Sequence, residues 1–117
     1  MRGDNTRLGK AASALRSQEE ALERARRFIE KIRGKLKLVE AYLVGSRARG
    51  DYMEDSDVDL ILIAEGVEHL NQKERVMLLA DYAEPGVEYR VYTPREWREA
   101  KTTWLKELKK EAKRIYP

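Results

Sequence analysis

Gly45-Ser46-Arg47-Ala48-Arg49-Gly50-Asp51-Tyr52-Met53-Glu54-Asp55-Ser56-Asp57-Val58-Asp59 is the stretch on which the reading of this chain turns. An apolar run, Ala41-Tyr42-Leu43-Val44, leads into it and reads as a buried strand that stops at the Gly45-Ser46 turn. Glycine lets the backbone approach a ligand closely, and amides freed where a strand turns into a helix point outward as anion donors. Ser46 adds a hydroxyl at the same place. A second run, Val58-Asp59-Leu60-Ile61-Leu62-Ile63-Ala64, is continuous and β-branched enough for a central strand. With a side-chain period of two, Asp57 and Asp59 are expected on one face of it. Two carboxylates so placed repel unless a cation lies between them. Hard oxygen ligands suit Mg²⁺ or Mn²⁺, which keep waters and take further ligands from substrate phosphates. The pattern therefore points to a nucleoside triphosphate held with a divalent metal.

The order of these parts is more specific than any one of them. Strand, Gly-Ser, short polar turn, Ser-Asp-x-Asp and apolar strand together resemble the nucleotidyltransferase superfamily that includes DNA polymerase β and kanamycin nucleotidyltransferase. Within it the likeness is greatest to the minimal nucleotidyltransferases, small archaeal and bacterial proteins often paired with a HEPN-domain protein. The resemblance covers about residues 36 to 98. It rests on Gly45, Ser46, Asp57 and Asp59, with Arg47, Arg49, Gly50 and Asp51 fitting the usual wording of the turn. A third acidic residue is expected on a later strand shortly before Thr-Pro. Val87-Glu88-Tyr89-Arg90-Val91-Tyr92-Thr93-Pro94 supplies it as Glu88, where the family more often has Asp.

The resemblance implies an α/β fold, a small mixed sheet of three or four strands flanked by helices. It implies that Asp57, Asp59 and Glu88 are catalytic and bind Mg²⁺ or Mn²⁺, with Gly45, Ser46, Arg47 and Arg49 on the phosphates. ATP or another NTP would be the substrate and an NMP the transferred group. The acceptor it implies is a tyrosine hydroxyl of a HEPN-type toxin, with this chain as antitoxin. Two other readings stand beside it: a nucleotide-binding module that neutralises its partner by contact alone, and a small RNA-binding protein.

Outside residues 36 to 98 the pattern is that of scaffold. Leu8, Leu15, Leu22, Ile29 and Leu36 recur every seven positions, with Ala11, Ala25 and Ile32 three residues after members of that series and Gln18 interrupting it. An amphipathic helix, or two broken near Gly9, is expected over about 6–36. Residues 1–35 are read as a helical segment preceding a domain over 36–117, the whole forming one globular unit. The first two heptads exceed what the small sheet needs to cover, so a homo-oligomer or a HEPN-type complex is expected there. Asn71-Gln72-Lys73-Glu74 and Thr93-Pro94-Arg95-Glu96 are capping boxes that open two further helices. The second is expected to carry Trp97, Ala100, Trp104, Leu105, Leu108 and Ile115 at helical spacing, with both tryptophans in the core.

Composition limits the alternatives. A length of 117 residues suits one domain, and the absence of cysteine removes disulfide and thiolate chemistry. His69 is the single histidine, so no histidine cluster or triad can form within one chain. The longest apolar run is Leu60 to Ala64, so neither signal peptide nor membrane span is expected and a cytoplasmic setting is. Charged residues make up 38% of the chain at a net charge of only +3, a mixture that suits surface ion-pair networks of the thermophile kind. Basic clusters at Arg24–Lys37 and Lys101–Arg114 offer a nucleic-acid surface, but interleaved glutamates favour a solvated helix face.

Overall fold

The computed structural model describes residues 7–117, with the side chains of Arg7, Leu8 and Lys10 outside that description. Helix α1 (Arg7–Ile32) leads into strand β1 (Lys37–Val44), the short helix α2 (Ser46–Arg49) and strand β2 (Val58–Glu65). Helix α3 (Gln72–Leu78), a 3₁₀ turn at Ala80–Tyr82 and strand β3 (Val87–Tyr92) follow. Helices α4 (Pro94–Glu99) and α5 (Thr103–Glu111) and strand β4 (Lys113–Tyr116) complete the order. The sheet runs β3-β2-β1-β4; β1 is antiparallel to both β2 and β4, whereas β2 and β3 are parallel. This is the expected mixed α/β sheet with four strands.

Burial on both faces explains the unbroken apolar run of β2. On one side Ala41, Leu43, Leu60, Leu62 and Val91 meet Ala21, Ala25, Phe28 and Ile32 of α1. On the other, Val44, Ile61 and Ile63 meet Trp97, Ala100 and Leu105. The second half of α1 thus packs into the core on one face of the sheet. Its first half differs: Leu15 is 64% exposed, and Leu8 lies outside the described side chains. The helix runs through Gly9 without a break and ends at Ile32, so Leu36 packs from the turn that follows.

Both capping boxes form as expected, Asn71 with Glu74 and Thr93 with Glu96. The helix after Thr93 does not continue as expected. Ala100 takes a left-handed conformation at φ 43°, a second cap at Thr102 starts α5, and Lys113–Tyr116 becomes a strand. Ile115, expected on the helix, therefore belongs to β4, which pairs with β1. Trp97 is buried, but Trp104, expected with it, is 48% exposed. Several basic residues pair one turn away as the interleaving suggested, at i,i+3 in Arg26–Glu23, Arg33–Glu30 and Lys110–Glu107.

Two side chains lock the β3 edge. Gln72 donates from Nε2 to the Val91 carbonyl at 2.9 Å and accepts the Val91 amide at 2.7 Å. Arg75, 5% exposed, donates to the Val67 and Val91 carbonyls and forms a two-pronged pair with Glu96 at 2.7 and 3.1 Å. This pair holds the Glu96 carboxyl below its usual range.

Candidate functional site

β1 is followed by Gly45, whose φ of 77° and ψ of −158° belong to a region open essentially to glycine alone. A Cβ at this position would sit 2.5 Å from Asp59 Oδ2. The bare backbone is what lets the Asp59 carboxylate lie against the turn. Asp59 is the second residue of β2, opposite Val44 on β1 and opposite Glu88 on β3. Glu88 and Asp59 therefore occupy neighbouring parallel strands, about 4.8 Å apart in backbone spacing.

Both carboxylates line one cleft of about 950 Å³. Gly45 and Arg49 stand at the same end, α3 supplies one wall, and Trp104, Glu107, Leu108 and Glu111 of α5 supply the other. Their spacing of three, four and seven residues from Trp104 puts them on one helical stripe. The Asp59 carboxyl is pushed above its ordinary value, first by burial and then by the negative charges of Glu88 and Asp57, with Arg49 opposing.

Asp57 is placed differently from expectation. It precedes β2 rather than belonging to it, is exposed, and does not line the cleft; a Cβ on Gly86 would lie 3.8 Å from its Oδ1 and 3.6 Å from Arg24 Nε. Its charge still reaches Asp59. Ser46 is the first residue of α2, half-buried, and accepts the Gly50 amide through its carbonyl. It is not among the residues that line the cleft.

Arg47 departs most from its expected place on the phosphates. It is 2% exposed, and its guanidinium donates to the carbonyls of Ser56 and Glu54, to Ser17 Oγ and to Gln18 Oε1. Gln18, which interrupts the apolar series of α1, returns a bond to the Arg47 carbonyl at 3.0 Å. Arg47 thus ties the turn to α1. Arg49 remains exposed at the cleft, pairing with Asp51 at 3.2 Å and with Glu111 at 3.1 Å.

Glu111 is the residue that sequence reasoning missed. Its Oε2 accepts the Gly45 amide at 2.5 Å, so a carboxylate already sits on the anion donor of the turn. No local signal marks it, since 66 residues separate the two partners.

The donors at this end suit a hard divalent cation. Among the described residues no lysine or arginine forms an ion pair with Asp57, Asp59 or Glu88. Nor, among them, are three such side chains drawn together into a closed metal cage. Mg²⁺ does not require one, because it is commonly held by one or two carboxylates completed by substrate phosphates and water.

Comparison with known proteins agrees with this geometry. The family described as "Nucleotidyltransferase domain" matches residues 23–116. A crystal structure described as "a putative nucleotidyltransferase from Sulfolobus solfataricus" superimposes with a TM-score of 0.68 at 33% identity, covering 72% of this chain and 77% of that one. A Methanocaldococcus jannaschii protein named "Putative protein adenylyltransferase" is 41% identical over 44 residues, 38% of this chain. That match spans 44% of the length of the curated relative.

Proposed function

This chain belongs to the nucleotidyltransferase domain family, and we propose that it transfers AMP from ATP to a tyrosine hydroxyl of a HEPN-type toxin, acting as its antitoxin. The observation that carries the transfer is the facing of Asp59 and Glu88 across paired parallel strands, beside the Gly45 turn, in a cleft roomy enough for a nucleoside triphosphate. The name of the archaeal relative supports AMP as the transferred group.

In this reading the Gly45 amide and the Arg49 guanidinium exchange the Glu111 carboxylate for triphosphate oxygens. Asp59 and Glu88 would hold Mg²⁺ or Mn²⁺, with Asp57 adding negative charge from outside the cleft, and the bound ion would supply charge neutralisation at the attacking and leaving oxygens. Glu88 orients the acceptor hydroxyl and takes its proton. The hydroxyl oxygen bonds to the α-phosphorus as the bond from that phosphorus to the bridging oxygen breaks, and pyrophosphate leaves. Burial and the neighbouring negative charges disfavour Asp59 as an anion, a penalty that a cation bound there would relieve.

A partner is supported by the exposed Leu15 of α1 and the exposed Met53 in the loop that the Tyr52 and Ser17 hydrogen bonds tie to that helix. The test is to incubate a HEPN-type partner with the protein and Mg²⁺-ATP and weigh the partner by mass spectrometry. AMP on a tyrosine is the expected result. A stable complex with no added mass under any divalent metal would instead favour neutralisation by contact, and label on RNA or a small molecule without a complex would reject the partner.

A further inference from the structure

The cleft has two chemically distinct ends joined by α5. Glu111, at one end, holds the Gly45 amide, while Trp104 lies seven residues earlier on the same stripe, about 10.5 Å along the helix axis. That separation is comparable with the distance from base to polyphosphate in one extended nucleoside triphosphate. Arg90 of β3 stands at the Trp104 end, and Met77 and Val76 of α3 line the same cleft. Arg90 is two residues beyond Glu88, hence on the same face of the strand. Its guanidinium carbon stands 5.0 Å from the Trp104 ring centroid, while the tryptophan stays 48% exposed.

We propose that this end is the nucleobase subsite, in which the base of the triphosphate stacks on the Trp104 ring that Arg90 braces. The inference rests on the nucleotide-binding reading above and adds what recognises the base. An indole half open to solvent, in a cleft that two exposed or half-exposed aliphatic side chains also line, offers a flat apolar surface that every base can use. Stacking of this kind reads ring area more than exocyclic groups. The neutral amide of this wall, Gln72, has both its functions committed to Val91. The subsite therefore selects by ring area, purines ahead of pyrimidines, and discriminates weakly between adenine and guanine.

Binding of ATP, GTP, CTP and inorganic tripolyphosphate is measured by calorimetry with Mg²⁺ on the full chain and on its Trp104→Ala and Trp104→Phe variants. Trp104→Ala is expected to weaken ATP about tenfold, to leave tripolyphosphate unchanged, and to abolish the preference for ATP and GTP over CTP. Trp104→Phe restores most of the loss. Nucleotide should also quench the tryptophan emission of the wild type, because Trp97, the other indole, is buried. The subsite is overturned if Trp104→Ala binds ATP like wild type, or if it loses tripolyphosphate as severely as ATP. A wild type that binds neither ligand overturns the nucleotide reading itself, and the subsite with it.

Discussion

Gly45 and Asp59 share one small volume: the space where a side chain on Gly45 would begin lies 2.5 Å from the Asp59 carboxylate oxygen. Gly45→Ala is therefore expected both to strain the backbone, at a cost of about 1–3 kcal/mol, and to push Asp59 out of the cleft. A drop in melting temperature together with loss of transfer is the expected outcome. Transfer at the wild-type rate would separate the turn from the chemistry.

Asp59 carries an electrostatic penalty in the fold. Because its folded carboxyl holds a proton more tightly than the unfolded one, the metal-free native state loses stability as pH rises from the ordinary carboxylate value through the raised one. Above that window the penalty is constant. Asp59→Asn should consequently melt higher than wild type at neutral pH in a chelator, with the gap closing towards acid pH, while transfer falls on the order of a hundredfold or more. An equal or lower melting temperature at neutral pH would contradict the electrostatic account.

Glu88→Gln should lower the rate of transfer far more than the affinity for ATP, since its proposed role is realised mainly in the transition state. Glu88→Asp is expected to stay active. Single-turnover kinetics beside equilibrium binding distinguish the two effects, and equal transfer by Gln and wild type would leave Glu88 a strand residue in a binding module.

The two arginines of the turn should separate cleanly. Arg47→Lys removes the planar fork that reaches Ser17, Gln18, Glu54 and Ser56, and is expected to destabilise the fold by about 2–4 kcal/mol. Arg49→Ala, at an exposed site, should leave stability nearly unchanged but weaken ATP binding. Denaturant titration and calorimetry on both variants check the contrast.

What was legible in the sequence was local. The Gly-Ser turn, the continuous apolar strand and both capping boxes are settled within a few residues, and each formed where its chemistry required. What was not legible depends on partners far along the chain. Arg47 looked like a phosphate ligand because nothing nearby shows that Ser17 and Gln18, some thirty residues before it, are waiting for its guanidinium. Lys113–Tyr116 continues a helical pattern, and only pairing with β1 makes it a strand. Asp57 fitted the alternation of a strand that in fact begins one residue later.

The Gln72 carboxamide presents Val91 with one donor and one acceptor, as a neighbouring strand would. Since β3 is an edge of the sheet, an open ladder there would be a template on which further copies could add, the usual start of fibrous aggregation. Gln72, with Arg75 on the same Val91 carbonyl, stops that growth in the middle of the edge. Side chains of α3, not a further strand, thus occupy the ladder at Val91 and make the edge a poor seed for polymerisation.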